Sequence, residues 1–309
     1  MGNLAASCEV GELPIESSVP TAATSTSTSA AAGVPTLDPK RWIPFTLTEK
    51  VELSPDTRLF RFALPSPGHC LGLPIGKHVW MRFTPPGGDE DDVVQRSYTP
   101  TSSDADLGQV DFVIKVYFAG VHPKFPDGGA LTQHLEQLPI GGTIEMRGPK
   151  GRLAYAGCGR LEIEEYGEPQ PEVRRARRIG MIAGGTGITP MLQIIRAAFA
   201  DADDTTEIAL IFANKSEGDI LLRAELEALV FAHPTRFRLH FTLDAPPADW
   251  PAQHSSGYVT NAMIAANLPA AASDHSTQIL MCGPPPMLRY ACIPALEELG
   301  FGEDDWFRF

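Results

Sequence analysis

Three short segments carry residues in patterns able to do chemistry. The first is Gly184-Gly185-Thr186-Gly187-Ile188-Thr189-Pro190, set between an apolar strand-like run and a helical one. Glycines there let the backbone approach a ligand, and the first N–H groups of the following helix are free to bind phosphate. The run departs from the common Gly-x-Gly-x-x-Gly dinucleotide fingerprint. In register with Gly185 and Gly187, the third glycine would fall at Pro190. The second segment is Arg96-Ser97-Tyr98-Thr99-Pro100. An Arg and a Tyr two residues apart on a strand share a face, so one can clamp a pyrophosphate while the other lies against a flat cofactor. The third is Cys282-Gly283-Pro284-Pro285-Pro286-Met287. A Cys at the carboxyl end of a parallel strand sits where open α/β sheets bind ligands. Taken singly, each has a plainer reading: a tight turn, surface residues at a strand end, and a buried structural thiol.

The elements that must position these segments fall into two rhythms. From Phe45 the runs FTLTEKVEL, RLFRFAL, HVWMRF, VDFVIKVYF and TIEMRG alternate like strands, with turns at Ser54-Pro55-Asp56 and Pro65-Ser66-Pro67-Gly68. Many short strands at close spacing, with one helical pattern at Leu131–Leu138, predict a closed antiparallel barrel. After Val173 strands and helices alternate: RIGMIAG, PMLQIIRAAFA, EIALIFAN, DILLRAELEALVFA, FRLHFTL, QILMC and MLRYACIPALEEL. That alternation predicts βαβ units on a parallel sheet. Ahead of both, Ser17–Thr36 has no aromatic or charged residue and reads as a flexible linker. The expected division is a linker over 1–40, a barrel domain over 41–165 and an α/β domain over 166–309.

Composition bounds the function. A chain of 309 residues, 43% hydrophobic, suits two cored domains. No run of about 18 apolar residues appears, so no membrane-spanning helix is expected. A net charge of −13 argues against general nucleic-acid binding, which needs a basic face. Cys8, Cys70, Cys158, Cys282 and Cys292 are odd in number and form no Cys-x-x-Cys pair. Without a secretory apolar region at the start, they read as reduced thiols of a cytoplasmic protein. Met1-Gly2 falls short of the myristoylation pattern because Ala6 stands where Ser or Thr is wanted. The eight histidines and five cysteines show no metal-ligand spacing. One basic cluster, Arg174, Arg175, Arg177 and Arg178, reads either as a docking patch for an acidic partner or as a solvated loop.

The order and spacing of the three segments resemble one family: the NADH–cytochrome b5 reductases, together with the C-terminal flavin domain of eukaryotic nitrate reductase. The likeness runs from about Phe45 to Phe309. It includes DTRLFRFALP, LGLPIGKH, RSYTPTSS, VIKVYF, GVHPKFPDGG, GMIAGGTGITPML, FAN, DILLR, TLD and CGPPPM. The resemblance implies a ferredoxin-reductase-like fold, with FAD on a six-stranded antiparallel barrel and NADH on the parallel-sheet domain that follows. Carried over, Arg96, Ser97, Tyr98 and Thr99 hold the flavin and its phosphates. Val113, Lys115 and Phe118 line the FAD site, with Lys115 also near the nicotinamide nucleotide. Gly128, Gly129, Ala130, Leu131 and Thr132 form a second phosphate turn. The family commonly has Lys or Leu and then Met at Ala130 and Leu131, so one positive contact is missing here, while backbone N–H contacts survive. Gly184, Gly185, Thr186 and Thr189 approach NADH, as do Cys282, Gly283, Pro284 and Met287. Asp244 matches the acidic residue that favours NADH, since a carboxylate accepts from a ribose 2′-hydroxyl and repels a 2′-phosphate. His78 lies near the flavin by the same resemblance; its plainer role is hydrogen bonding in the barrel.

The implied chemistry is hydride from NADH to FAD and single electrons onward to a haem of the b5 type. Cys282, Thr99 and Lys115 are the residues expected at the reacting centre. The acceptor is either a separate cytochrome b5 or the haem domain of a nitrate reductase; Glu9-Val10-Gly11-Glu12-Leu13 resembles the end of such a haem domain. A non-catalytic docking module that keeps the fold is the third reading.

Overall fold

The computed structural model describes residues 33–121 and 126–309. The linker from 1 to 32, with Gly2 and Cys8, lies outside the described residues, as do 122–125 of the GVHPKFPDGG motif. Residues 33–40, counted with the linker on composition, are part of the fold. Val34–Pro35 (β1) runs parallel to His69–Cys70 (β4), and the Val34 N–H donates to the Gly68 carbonyl at 3.1 Å. Backbone pairing there needs no apolar side chain, which is why composition did not show it.

The first sheet contains Ile43–Ser54 (β2), Thr57–Ala63 (β3), His78–Phe83 (β5), Val94–Tyr98 (β6), Gln109–Lys115 (β7) and Thr143–Lys150 (β8). Its order is β6-β5-β8-β2-β3-β7, antiparallel throughout. Alternate residues point inward, so Phe45, Leu47, Phe60, Phe62, Val79, Met81, Phe112, Ile144 and Met146 form one buried core. Two register shifts in β2, at Leu47/Glu49 and Glu52/Ser54, bend that strand. The ladder leaves a seam: among the described residues β6 and β7 share no register. Helix Ala130–Gln137 (α1) packs beside β6 and sends Leu131 and Leu135 into the core.

Leu153–Tyr155 (β9), Arg160–Ile163 (β10) and Glu172–Arg175 (β11) make a small antiparallel sheet, so a boundary at 165/166 would fall between two of its strands. Its inward residues Leu153, Tyr155, Leu161 and Ile163 join the core of the α/β part. There, Arg178–Gly184 (β12), Glu207–Asn214 (β13), Phe237–Leu243 (β14), Ser255–Ser256 (β15), Thr277–Cys282 (β16) and Trp306–Arg308 (β17) form a parallel sheet of order β15-β14-β13-β12-β16-β17. Helices Ile188–Ala200 (α2) and Arg223–Ala232 (α3) cover one face. On the other lie Asn261–Asn267 (α4) and a composite helix made of Pro285–Met287 (α5), a π-helical turn at Leu288–Cys292 and Ile293–Glu298 (α6). Near-continuous apolar strands such as RIGMIAG and EIALIFAN follow from burial on both faces. Strand order reverses at β12, which places the topological switch point between β12 and β16.

The parts are tied by buried polar contacts. The Gly76 N–H donates to Gln193 Oε1 at 2.6 Å, and the Tyr155 N–H donates to the Ile75 carbonyl. The Tyr155 hydroxyl donates to the Asp204 carboxylate and accepts from the Gly159 N–H at 3.1 Å. Tyr155→Phe leaves the buried Gly159 N–H without its acceptor and strips one bond from the Asp204 carboxylate, which keeps the Cys158 and Thr206 N–H groups, a loss of about 1–3 kcal/mol. Urea denaturation should show that loss, and a stability within 0.5 kcal/mol of the parent, roughly the spread of a neutral surface change, would refute the network.

Candidate functional site

The switch point is built from two chain ends pressed together. Strand β12 ends at Gly184 and runs through one 3-10 turn, Gly185–Gly187, into α2. Strand β16 delivers Cys282 alongside, in register with Ala183. A methyl group on Gly187 would lie 2.1 Å from the Cys282 carbonyl oxygen, and one on Gly184 would lie 2.7 Å from Pro284 and 2.9 Å from Met287. Glycine is therefore required for packing at both positions. Gly185 is different: its φ is +53° and a Cβ would meet nothing within 4 Å, so its backbone faces open space. The Thr189 hydroxyl donates to the Thr186 carbonyl at 3.1 Å, which closes the turn. Burial pushes the Cys282 thiol up to about 11, so it is uncharged at neutral pH.

Along the same carboxyl edge stand Asn214, ending β13, and Asp244, following β14. From Cys282 to Asp244 is three strand spacings, about 14 Å, a span suited to a dinucleotide lying across the edge. Asp244 is exposed, and its N–H donates to the Asn214 carbonyl at 3.0 Å. Asn214 itself is 7% exposed, and neither its Oδ1 nor its Nδ2 has a partner among the described residues. A buried amide with both ends unsatisfied is costly unless a ligand completes it. Asn214 closes the FAN motif of the sequence. Its sequence signal is a polar residue ending a strand that is apolar from Ile208 to Ala213.

The barrel contributes the seam. Arg96 and Tyr98 lie opposite the buried Met81 and Val79, so the two share one face, as their spacing predicted. Arg96 is exposed, while burial drives the Tyr98 phenol well above its ordinary range and keeps it a proton donor. Ser97 and Thr99 belong to the other face of this edge strand. Across the seam, Gly128 has φ +68°, and a Cβ there would sit 2.4 Å from the Tyr117 carbonyl oxygen. The Gly129 N–H donates to that carbonyl at 2.8 Å, and Thr132 Oγ1 accepts from the Tyr117 N–H at 3.2 Å. These bonds hold the α1 N-terminus, with Ala130 exposed and Leu131 buried, against the segment that includes Phe118. Val113 is buried and shares the outer face of β7 with Lys115. The donor set of an Arg, a protonated phenol and a helix N-terminus across a seam fits a flavin dinucleotide, and the glycine-lined carboxyl edge with its unsatisfied Asn214 fits a nicotinamide one.

Lys115, at the carboxyl end of β7, is held by two carboxylates. Its ammonium bonds Asp219 at 2.6 Å and Asp56 at 2.7 Å, joining the barrel to the turn after β13. Burial opposes its charge, but the two carboxylates outweigh burial and raise its pKa. A second tie comes from Arg196 on α2, which donates to the Thr101 carbonyl and is gripped by Glu225 at 2.6 and 2.7 Å. His78 lies on the barrel face, its pKa lowered by burial and then by Lys150 and Lys77. The Arg174–Arg178 cluster lies at the amino edge of the parallel sheet, about 20 Å down β12 from Gly184. Arg174 is paired with Glu172 and Asp304, and Arg177 with Asp274. Docking by that cluster therefore finds no support, because two of its charges are neutralised and all four are remote from the site.

Comparison with known proteins agrees with this geometry. Residues 44–155 match the oxidoreductase FAD-binding domain and residues 181–292 the oxidoreductase NAD-binding domain. The chain is 49% identical to NADH-cytochrome b5 reductase 2 of Xenopus laevis over 278 residues, covering 90% of this chain and 91% of that one. It is 51% identical to NADH-cytochrome b5 reductase 3 of Mus musculus over 266 residues, covering 86% of each. The cytochrome b5 reductase domain of Ulva prolifera nitrate reductase superposes with a TM-score of 0.81 at 42% identity, covering 89% of this chain and all of that one. Half-identity over nearly the whole length, on a fold whose switch point and barrel seam fit the two dinucleotides those models name, makes the chain a member of the NADH–cytochrome b5 reductase family of FAD- and NAD-binding oxidoreductases.

Proposed function

We propose that the protein carries electrons from NADH, through FAD, to a haem protein of the cytochrome b5 type. The observation that carries this is the joining of the two halves at their sites. Arg196 grips Thr101, two residues past Thr99, and Lys115 at the end of β7 grips Asp219 beyond the carboxyl end of β13. The nicotinamide edge is thereby fixed against the flavin seam. FAD, when bound, supplies the change from one two-electron donor to two one-electron transfers.

The chain's own residues have these roles. Arg96 and the N-terminus of α1, from Gly128 to Thr132, hold phosphate charge. Tyr98 and Thr99 fix the ring system at the seam, with Ser97, Val113 and Phe118 around it. Gly184, Gly185, Thr186 and Thr189 present backbone to the nicotinamide nucleotide, and Gly283, Pro284 and Met287 wall the opposite side. Asn214 completes its hydrogen bonds on the dinucleotide. Cys282 positions the donor carbon as a small neutral thiol. Lys115 acts through Asp219 by setting the distance between the halves.

A second reading has its own support. The likeness to the Ulva prolifera domain favours a chain whose haem partner is covalently joined, as in a nitrate reductase. Sequencing of the full transcript separates the two. The four described cysteines are all free, which supports a reducing compartment, the cytoplasm.

The purified protein should show flavin absorbance that NADH bleaches without air, and should then reduce cytochrome b5. Flavin bleaching without cytochrome reduction would refute the acceptor. Asp244→Ser should raise kcat/KM for NADPH about tenfold, the effect of removing about 1.4 kcal/mol of repulsion; equal use of both donors by the parent would remove Asp244 from that role. Cys282→Ser should keep FAD but slow flavin reduction ten- to a hundredfold, on the order expected from ~1 Å of misplacement. With a thiol pKa of about 11, Cys282 stays protonated across the neutral range. The pH profile of flavin reduction should therefore show no thiol inflection below about pH 9, and one that vanishes in the serine variant would contradict the neutral thiol.

A further inference from the structure

Two indoles and three cations interleave on the outer face of the barrel. Along β5, His78, Trp80 and Arg82 alternate with the buried Val79 and Met81, so the three share the outer face. Each heads a cross-strand row. His78 pairs with Lys150 on β8, and the register that sets Val79 opposite Tyr98 brings Thr99 to its other side. Trp80 lies between Ser97 and Arg147, and Arg82 between Gln95 and Glu145. Trp42, just ahead of β2, completes the stack. The Arg147 guanidinium lies 4.4 Å from the Trp42 ring and 4.9 Å from Trp80. Arg82 lies 4.4 Å from Trp42, and Lys150 lies 5.0 Å from Trp80.

We propose that this cation–indole face is where the haem acceptor docks, and that the acceptor presents carboxylates to it. The inference rests on the acceptor named above and adds the surface that receives it. A chain of net charge −13 repels a carboxylate-bearing partner over most of its surface, so productive encounter needs a local positive field. The stack provides one because of how its cations are held. Arg82 shares its charge with Glu145 at 2.8 Å. Arg147 and Lys150 have no carboxylate partner among the described residues and rest on indole rings instead. Both are half-buried, and the Arg147 Nε is enclosed between the rings, but a ring quadrupole fixes a cation without cancelling its charge, so the pair keeps a positive field at this face. Rigid Trp and Arg side chains are also the types that dominate binding energy at protein interfaces. Position completes the argument: the row Lys150, His78, Thr99 spans two strand spacings, about 10 Å. A partner seated on Trp80 and Lys150 therefore lies against the strand that carries Arg96, Tyr98 and Thr99.

The test uses the FAD-loaded protein and the double variant Arg147→Gln/Lys150→Gln. Its KM for cytochrome b5 at low ionic strength should rise about fivefold or more, and the salt dependence of cytochrome reduction should flatten. Flavin reduction by NADH without acceptor should stay within about twofold of the parent. Arg147→Lys, paired with native Lys150, should restore the salt dependence, and melting curves check that each variant is folded. A double variant with the parent's KM and salt slope would overturn the docking surface while leaving the acceptor standing. A parent that bleaches with NADH but never reduces the cytochrome removes the acceptor and this surface together. Loss of binding to anionic phospholipid vesicles in the double variant, with cytochrome kinetics unchanged, would assign the face to a membrane and also overturn the proposal.

Discussion

Between Gly187 and the carbonyl oxygen of Cys282 there is no room for a methyl group. That contact sets the geometry of the catalytic edge. It brings the end of β16 against the start of α2 at the point where strand order reverses, and open α/β sheets leave their ligand crevice there. The turn that follows β12 can then expose Gly185, whose left-handed backbone opens onto space, while Gly184 and Gly187 are sealed by Pro284, Met287 and Cys282. One glycine serves the ligand and two serve the packing. Cys282 is held by backbone on one side only, so its thiol remains at the edge with a neutral, polarizable surface.

The halves are joined by directional polar contacts. Gln193 and Arg196 are one turn apart on α2 and reach Gly76 and the Thr101 carbonyl, while Lys115 reaches Asp219. Such contacts are directional, and a hydrogen bond that loses its partner in a buried place is costly, so they define relative position better than a greasy interface does. Helix α2 therefore has two duties. Its N-terminal turn faces the nicotinamide edge, and its third turn holds the barrel loop that follows Thr99.

Charge is distributed by the same economy. Most arginines of this acidic chain are matched to carboxylates: Arg61 to Asp111 and Glu49, Arg58 to Glu136, Arg174 to Glu172, Arg223 to Glu227. Arg147 and Lys150, stacked on Trp42 and Trp80, have no carboxylate partner among the described residues, and they flank the strand edge that carries the flavin residues.

The sequence by itself determined the two rhythms, and with them a barrel followed by a parallel sheet, because burial of one face or of two writes period two or a continuous apolar run into each strand. It also placed Arg96 with Tyr98 on one face and Cys282 and Asp244 at strand ends, since those follow from local periodicity. Residues 33–40, the crossing of the 165/166 boundary by the sheet of β9–β11, the capture of Lys115 by Asp56 and Asp219, and the unsatisfied amide of Asn214 were decided only by the tertiary structure. Each depends on a partner tens of residues away, and local spacing has no knowledge of it. The cation–indole stack is the clearest case. Trp42, Trp80, Arg82, Arg147 and Lys150 lie on three separate stretches of chain, and only the registers of β8 against β5 and β2 bring their charges and rings into one surface.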